Sequence, residues 1–141
     1  MPTKQHSGGC LCGAVRYECG EPVSAAVLCH CESCRRAAAA HAVAWMTVRR
    51  SAFSLAGVEP REYASSPAVV RTFCGACGTP LTYWHKDAAE LIDVTIASLD
   101  DPGAIVPTEH LWMEDAPAWD RPGDGLPQYR TSRQAAEPFH A

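Results

Sequence analysis

The sequence predicts a mainly β fold of short antiparallel strands with one or two short helical turns. Three observations carry this expectation. Short stretches rich in Val, Ile, Thr, Tyr and Trp recur along the chain, and such side chains suit a pleated, half-buried surface. Gly, Pro, Asp and Ser clusters separate them. The middle of the chain shows no helical periodicity, and Phe53 and Leu55 flank Ser54 in strand-like alternation.

In chain order, strands are expected at residues 14–18, 25–30, 42–48, 69–73, 81–84 and 91–97. A helical turn is expected from Glu32 and Ser33 through Cys34 and Arg35, supported by the alanines at positions 37–40. A second covers residues 114–119 and is interrupted by Pro117. From Arg121 onward, Pro122, Gly123, Gly125, Pro127 and Pro138 predict an ordered loop that gives way to a frayed terminus.

The 141 residues suit one domain spanning 1–141, large enough to bury a real core. No internal repeat is visible. No apolar run approaches the roughly 20 residues that cross a bilayer, so no membrane association is expected. The N-terminus has a charge but no apolar segment after it, which predicts a cytoplasmic rather than an exported protein. A net charge of −4 argues against nucleic acid as a partner, because phosphate binding draws on clustered cations. Arg35-Arg36 and Arg49-Arg50 are local exceptions, read as solvated charge or as carboxylate binders. The sequence sets no oligomeric state.

Eight cysteines are the most informative feature. Disulfides, metal ligation and apolar filler compete as explanations. A reducing compartment disfavours disulfides, and filler has no reason to fall as Cys-x-Cys, Cys-x-Cys-x-x-Cys and Cys-x-x-Cys. Cys10 and Cys12 point to one face of an extended segment. Cys74 and Cys77 sit in a glycine-bearing turn that can fold around a metal and aim amides at the sulfurs. Joined, the two pairs complete a four-thiolate structural zinc site, a staple closing a loop of about 60 residues whose entropic cost grows only logarithmically. Zinc is expected, although iron also accepts tetrahedral thiolates.

Cys29, Cys31 and Cys34 are different, because three thiolates within six residues bind one ion locally. Catalytic zinc commonly has three protein ligands and one exchangeable position, so this trio is the expected catalytic site. The alternative is a closed site with His30, His41, His85 or His110 as fourth ligand. His30 alternates in direction with its two cysteine neighbours and is the least suited to reach the same ion. Cys19 is left over and reads as an ordinary buried thiol.

Together, Gly9-Cys10-Leu11-Cys12-Gly13, Cys29-His30-Cys31-Glu32-Ser33-Cys34-Arg35-Arg36, Ser65-Ser66-Pro67, the segment from Arg71 to Leu81 with Phe73-Cys74-Gly75-Ala76-Cys77-Gly78, and Glu109-His110-Leu111-Trp112 resemble the glutathione-dependent formaldehyde-activating family. The resemblance implies a small β-tent-type zinc fold. It implies a structural zinc on Cys10, Cys12, Cys74 and Cys77 and a catalytic one on Cys29, Cys31 and Cys34. It also implies the addition of glutathione to formaldehyde, a carbon-sulfur lyase reaction in reverse. Where relatives often carry glycine after the Cys-Arg segment, this chain has Ala37 to Ala40.

The expected partners are therefore a small thiol, glutathione or similar, and a small aldehyde. The thiol takes the open position as its thiolate and attacks the carbonyl to give a hemithioacetal. Arg35 or Arg36 is a candidate for a thiol's carboxylate, and His110 a candidate pocket residue. Two alternatives stand beside this reading: a non-catalytic thiol binder, and a protein-interaction module with two structural zincs.

Overall fold

The computed structural model describes residues 4–133. In chain order these form β1 (His6–Gly9), β2 (Val15–Cys19), β3 (Val27–Cys29), α1 (Glu32–Ala38), β4 (Val43–Arg49), β5 (Phe53–Gly57), β6 (Arg61–Ser66), β7 (Val69–Phe73), β8 (Pro80–His85), β9 (Leu91–Thr95) and β10 (Glu109–Leu111), with short 3-10 turns between some of them. The fold is mainly β, as expected. No helix among the described residues is long and apolar enough to cross a membrane.

The strands form two sheets. A small one has the order β1-β2-β5, and a seven-stranded one the order β10-β3-β4-β9-β8-β7-β6. Pairing is antiparallel throughout except between β10 and β3, which run parallel. Alternation along the strands explains the packing. Met46 and Val48 of β4, Ile92 and Val94 of β9 and Leu81 of β8 bury one face of the large sheet against Val15, Tyr17 and Cys19 of β2. The Tyr17 hydroxyl keeps a partner inside this core, with Ser98 Oγ at 2.6 Å. Cys19 lies in the same core with no exposure, and burial pushes its thiol up to about 11, as befits an inert thiol.

Three strands escape the expectation. Every residue of β6 is exposed, so no apolar alternation marks it. The sequence of β1 is His-Ser-Gly-Gly, and β10 has three residues. The expected turn at 114–119 is shorter and earlier, a 3-10 turn at Met113–Asp115 that stops before Pro117. Of the tail, residues 121–133 follow β10, with a bridge between His110 and Gln128; the frayed terminus expected beyond lies outside the described residues.

The helical turn at Glu32 is present and short. Cys31 caps its start, its sulfur accepting from the Cys34 amide at 3.3 Å. Ala39 ends it in the left-handed region, with φ 51° and ψ 40°. An L residue with a Cβ pays there for a conformation that glycine adopts freely. Ala39→Gly is expected to stabilise the metal-loaded protein by about 0.5–1 kcal/mol, the relief being partly offset by glycine's freer unfolded chain. Thermal unfolding checks it. A rise of about 2–4 °C is expected, and an unchanged or lower midpoint contradicts the strain assigned to Ala39.

Candidate metal centres and the cleft beside them

The sequence brings two tight turns to one place. In the first, the Gly13 amide bonds the Cys10 carbonyl at 3.1 Å; in the second, the Gly78 amide bonds the Cys74 carbonyl at 2.8 Å. Gly13 has φ 80° and Gly78 φ 81°, so each turn uses a backbone conformation that a side chain resists. Thr79 ties them together: its hydroxyl accepts from the Leu11 amide at 3.0 Å and lies 3.2 Å from Cys77 Sγ. The sulfurs of Cys10, Cys12, Cys74 and Cys77 all fall within 4.8 Å of one another. Cys12 Sγ lies 3.6 Å from Cys10 Sγ and 3.8 Å from Cys74 Sγ.

Backbone amides already face these sulfurs. Val15 donates to Cys10 Sγ at 3.2 Å, and Ala76 and Cys77 donate to Cys74 Sγ at 3.4 Å each. Such bonds favour thiolates. Hydrogen bonds from Thr79 draw the Cys77 thiol down to about 5. Four sulfurs converging with amides aimed at them fit one tetrahedrally held soft or borderline cation.

The second group is built by β3 and α1. Cys29 ends β3, Cys31 caps α1 and Cys34 lies in its first turn, and the three sulfurs fall within 4.8 Å of one another. Among the described residues no fourth His, Cys, Asp or Glu completes the group. Shared protons polarise it: bonds from Cys29, then Cys31, with the Arg71 guanidinium beside them, draw Cys34 down to about 2, while bonds with Cys31 and then Cys34 push Cys29 up. Arg71 Nη1 and Nη2 lie 3.8 and 3.7 Å from Cys34 Sγ. This guanidinium also lies over the Tyr83 ring, 5.0 Å from its centroid.

The trio opens onto a cleft of about 680 Å³, within the range of small-molecule sites. Its floor is one face of the large sheet, with Trp45, Thr47, Arg71, Tyr83 and Asp93, and its rim includes Glu32, Asp115 and Arg133. Asp115 holds the wall in place by accepting from the Glu32 amide at 3.0 Å. Asp93 accepts from the Thr47 hydroxyl at 2.5 Å, and burial raises its carboxyl above the usual range.

The histidines lie elsewhere. His30 points away from the trio, as its position between two inward cysteines predicts. Its Nδ1 lies 2.6 Å from Asp120 Oδ2, and its Nε2 lies 2.8 Å from His110 Nδ1. His110 Nε2 continues to Asp124 Oδ2 at 2.8 Å. Both rings are almost fully buried, and the chain Asp120-His30-His110-Asp124 fastens the loop after Trp119 to β3 and β10. It lines a separate cavity together with His41 and Trp119. His110 is therefore a tethering residue behind the trio and does not line the trio's cleft. His85 Nδ1 accepts from the Asp87 amide.

The Arg35-Arg36 pair does not serve the cleft either. Arg36 pairs with Glu32 on the helix surface at 3.0 Å, and the Arg35 Nε is buried without a hydrogen-bond partner. The cation at the trio is Arg71, which sequence reasoning placed in a motif without a role. Tyr83 and Asp93 were missed entirely. Strand parity signals Asp93 alone, between the buried Ile92 and Val94; Arg71 beside Thr72 and Tyr83 beside Thr82 have no such pattern.

A search of the curated proteins finds no match. Among solved structures, a crystal structure of a Rhodobacter sphaeroides protein is similar, with 26% sequence identity and a TM-score of 0.58, over 67% of this chain and 87% of that one. The model of the family described as glutathione-dependent formaldehyde-activating enzyme matches residues 5–115, which contain both sulfur groups and the floor of the cleft. The chain thus belongs to the glutathione-dependent formaldehyde-activating enzyme family.

Proposed function

We propose that the chain holds two zinc ions and adds a small thiol, glutathione or one like it, to a small aldehyde such as formaldehyde. Cys10, Cys12, Cys74 and Cys77 hold the structural ion. Cys29, Cys31 and Cys34 hold the working one and leave a position for the thiol. The observation that carries the reading is the three-sulfur group at the wall of the 680 Å³ cleft, with no fourth protein ligand among the described residues. Family membership supports glutathione and formaldehyde as the reactants.

When bound, zinc holds an incoming thiol as its thiolate, the reactive nucleophile at neutral pH. Three thiolates against a dipositive ion leave a formal charge of about −1, which suits thiol exchange better than water activation. The protein's own groups do the rest. Arg71 offsets the negative charge gathered at Cys34 from 3.7 Å. The cleft positions the aldehyde against the sulfur, and orienting two reactants is worth up to about 7–11 kcal/mol in favourable cases. The sulfur bonds the carbonyl carbon, the oxygen takes the thiol's proton, and a hemithioacetal leaves. The same path reversed is carbon-sulfur cleavage.

Two measurements test this reading. Metal analysis of the purified protein is expected to give two zincs per chain, and Cys31→Ser to give one with the far-ultraviolet dichroism kept. A Cys31→Ser protein that still holds two ions would show that the trio is not a metal site. For activity, exchange spectroscopy on carbon-13 formaldehyde and glutathione is expected to show adduct formation accelerated about 10²-fold or more by micromolar protein. A rate equal to the spontaneous one, with calorimetric glutathione binding intact, would make the protein a thiol binder and not an enzyme.

A further inference from the structure

The register of the large sheet lines up one row of side chains across five strands. Tyr63 of β6 is opposite Arg71 of β7, Arg71 opposite Tyr83 of β8, Tyr83 opposite Asp93 of β9, and Asp93 opposite Thr47 of β4. Directly opposite residues share a face, and from Arg71 to Thr47 this face is the cleft floor. The row is asymmetric in charge. Its cation touches the trio at Cys34, and its carboxyl stands two strands away, roughly 10 Å between Cα atoms at the usual strand spacing.

Asp93 is placed unlike a structural carboxylate. Among the described residues it has no ion-pair partner. Thr47 holds Oδ1, and Oδ2 has no hydrogen bond among the described residues. A partly buried carboxyl with one oxygen anchored and the other free, facing a cleft of reactants, is suited to receive and return a proton. The other groups of the row are not. A guanidinium has no lone pair to accept with, and burial raises the Tyr83 phenol, which keeps its proton and makes it a poor base. Of the rim carboxyls, Glu32 is paired with Arg36, and Asp115, whose Oδ2 accepts from the Glu32 amide, stands on the wall beside α1 and not in the row on the cleft floor.

We infer that Asp93 is the proton carrier of the cleft, taking the proton of the incoming thiol and delivering it to the aldehyde oxygen. The inference rests on the thiol-addition reading above. In the forward direction the S–H bond breaks and its proton passes to Asp93 Oδ2. The sulfur electron pair then forms the C–S bond, the carbonyl π pair moves to oxygen, and Asp93 returns the proton there. Thiol and aldehyde become hemithioacetal, no atom changes net redox state, and the carboxylate is regenerated. Arg71, two strands from Asp93 along the row, offsets the negative charge at the sulfurs, so the two residues do opposite work.

The test counts protons. Glutathione is titrated into the zinc-loaded protein at pH 7 in buffers of differing ionisation enthalpy, which yields the protons released per bound thiol. Wild type is expected to release almost none, because Asp93 keeps the proton, whereas Asp93→Asn is expected to release about one. Asp93→Glu should restore retention. The groups facing Asp93 are Tyr83 from β8, Arg71 from β7, Cys31 and Cys34 from α1, and Glu32, Asp115 and Arg133 at the rim, and all are unchanged in these variants. In the exchange assay, Asp93→Asn is expected to lower kcat about 10²-fold or more with glutathione affinity retained. Equal proton release from wild type and Asp93→Asn overturns the inference. So does an Asp93→Asn protein that keeps the wild-type kcat. A wild type with no rate gain but with the predicted proton difference sinks the addition reading and leaves Asp93 as proton acceptor.

Discussion

Seven thiols held in two groups, each within 4.8 Å, cannot all ionise without a cation. At about 4 Å, two unit negative charges repel by roughly 4 kcal/mol even at an effective dielectric constant of 20. Bare, the groups share protons, so that one sulfur ionises while its neighbours stay neutral, as the opposed shifts of Cys29 and Cys34 display. An ion removes that conflict and turns each group into a bond network. Both the closure of the small sheet against the large one and the chemistry of the cleft follow from this requirement. Cys10 and Cys12 lie between β1 and β2, whereas Cys74 and Cys77 lie between β7 and β8, so an ion held by all four would join the two sheets.

The two groups differ in how the chain frames them. The four-sulfur group draws on turns 62 residues apart, and its amides already face the sulfurs, an arrangement complete without any further ligand. The trio is local to β3 and α1 and stands at the wall of a cleft with a guanidinium beside it. Behind it, the Asp120-His30-His110-Asp124 chain, buried except at Asp124, fixes the backbone from the opposite side. Breaking the His30–Asp120 link leaves a buried polar group unpaired, at a cost of about 1–3 kcal/mol. The trio is thus held from behind and open in front, a division that would keep ligand geometry rigid if a reactant exchanged there.

The two sulfur groups were legible in the sequence because cysteine spacing is a local property. Cys-x-Cys-Gly and Cys-x-x-Cys-Gly announce both the sulfurs and the positive-φ turns that present them. The outward direction of His30 was legible by parity. Strand β6 was not, because a fully exposed edge strand has no alternation to read, and neither was the parallel pairing of β10 with β3, which depends on a long connection. The floor of the cleft lay beyond reach for a related reason. Arg71, Tyr83 and Asp93 are adjacent only through strand register, and a one-residue slip would send each to the other face. Arg35 and Arg36, next to the trio in sequence, drew the attention that Arg71 deserved, since α1 carries them away from the cleft.

The proposed activity needs an open position on an ion bound by Cys29, Cys31 and Cys34. X-ray absorption at the zinc edge of the two-zinc protein reads it directly. Without thiol, seven sulfurs shared by two ions give a mean of about 3.5 sulfurs per zinc, the remainder being a light ligand. Saturating glutathione is predicted to raise that mean to about 4 and remove the light scatterer. A mean that stays unchanged, or a nitrogen shell of histidine character that persists through the titration, would mean that the protein closes the site itself.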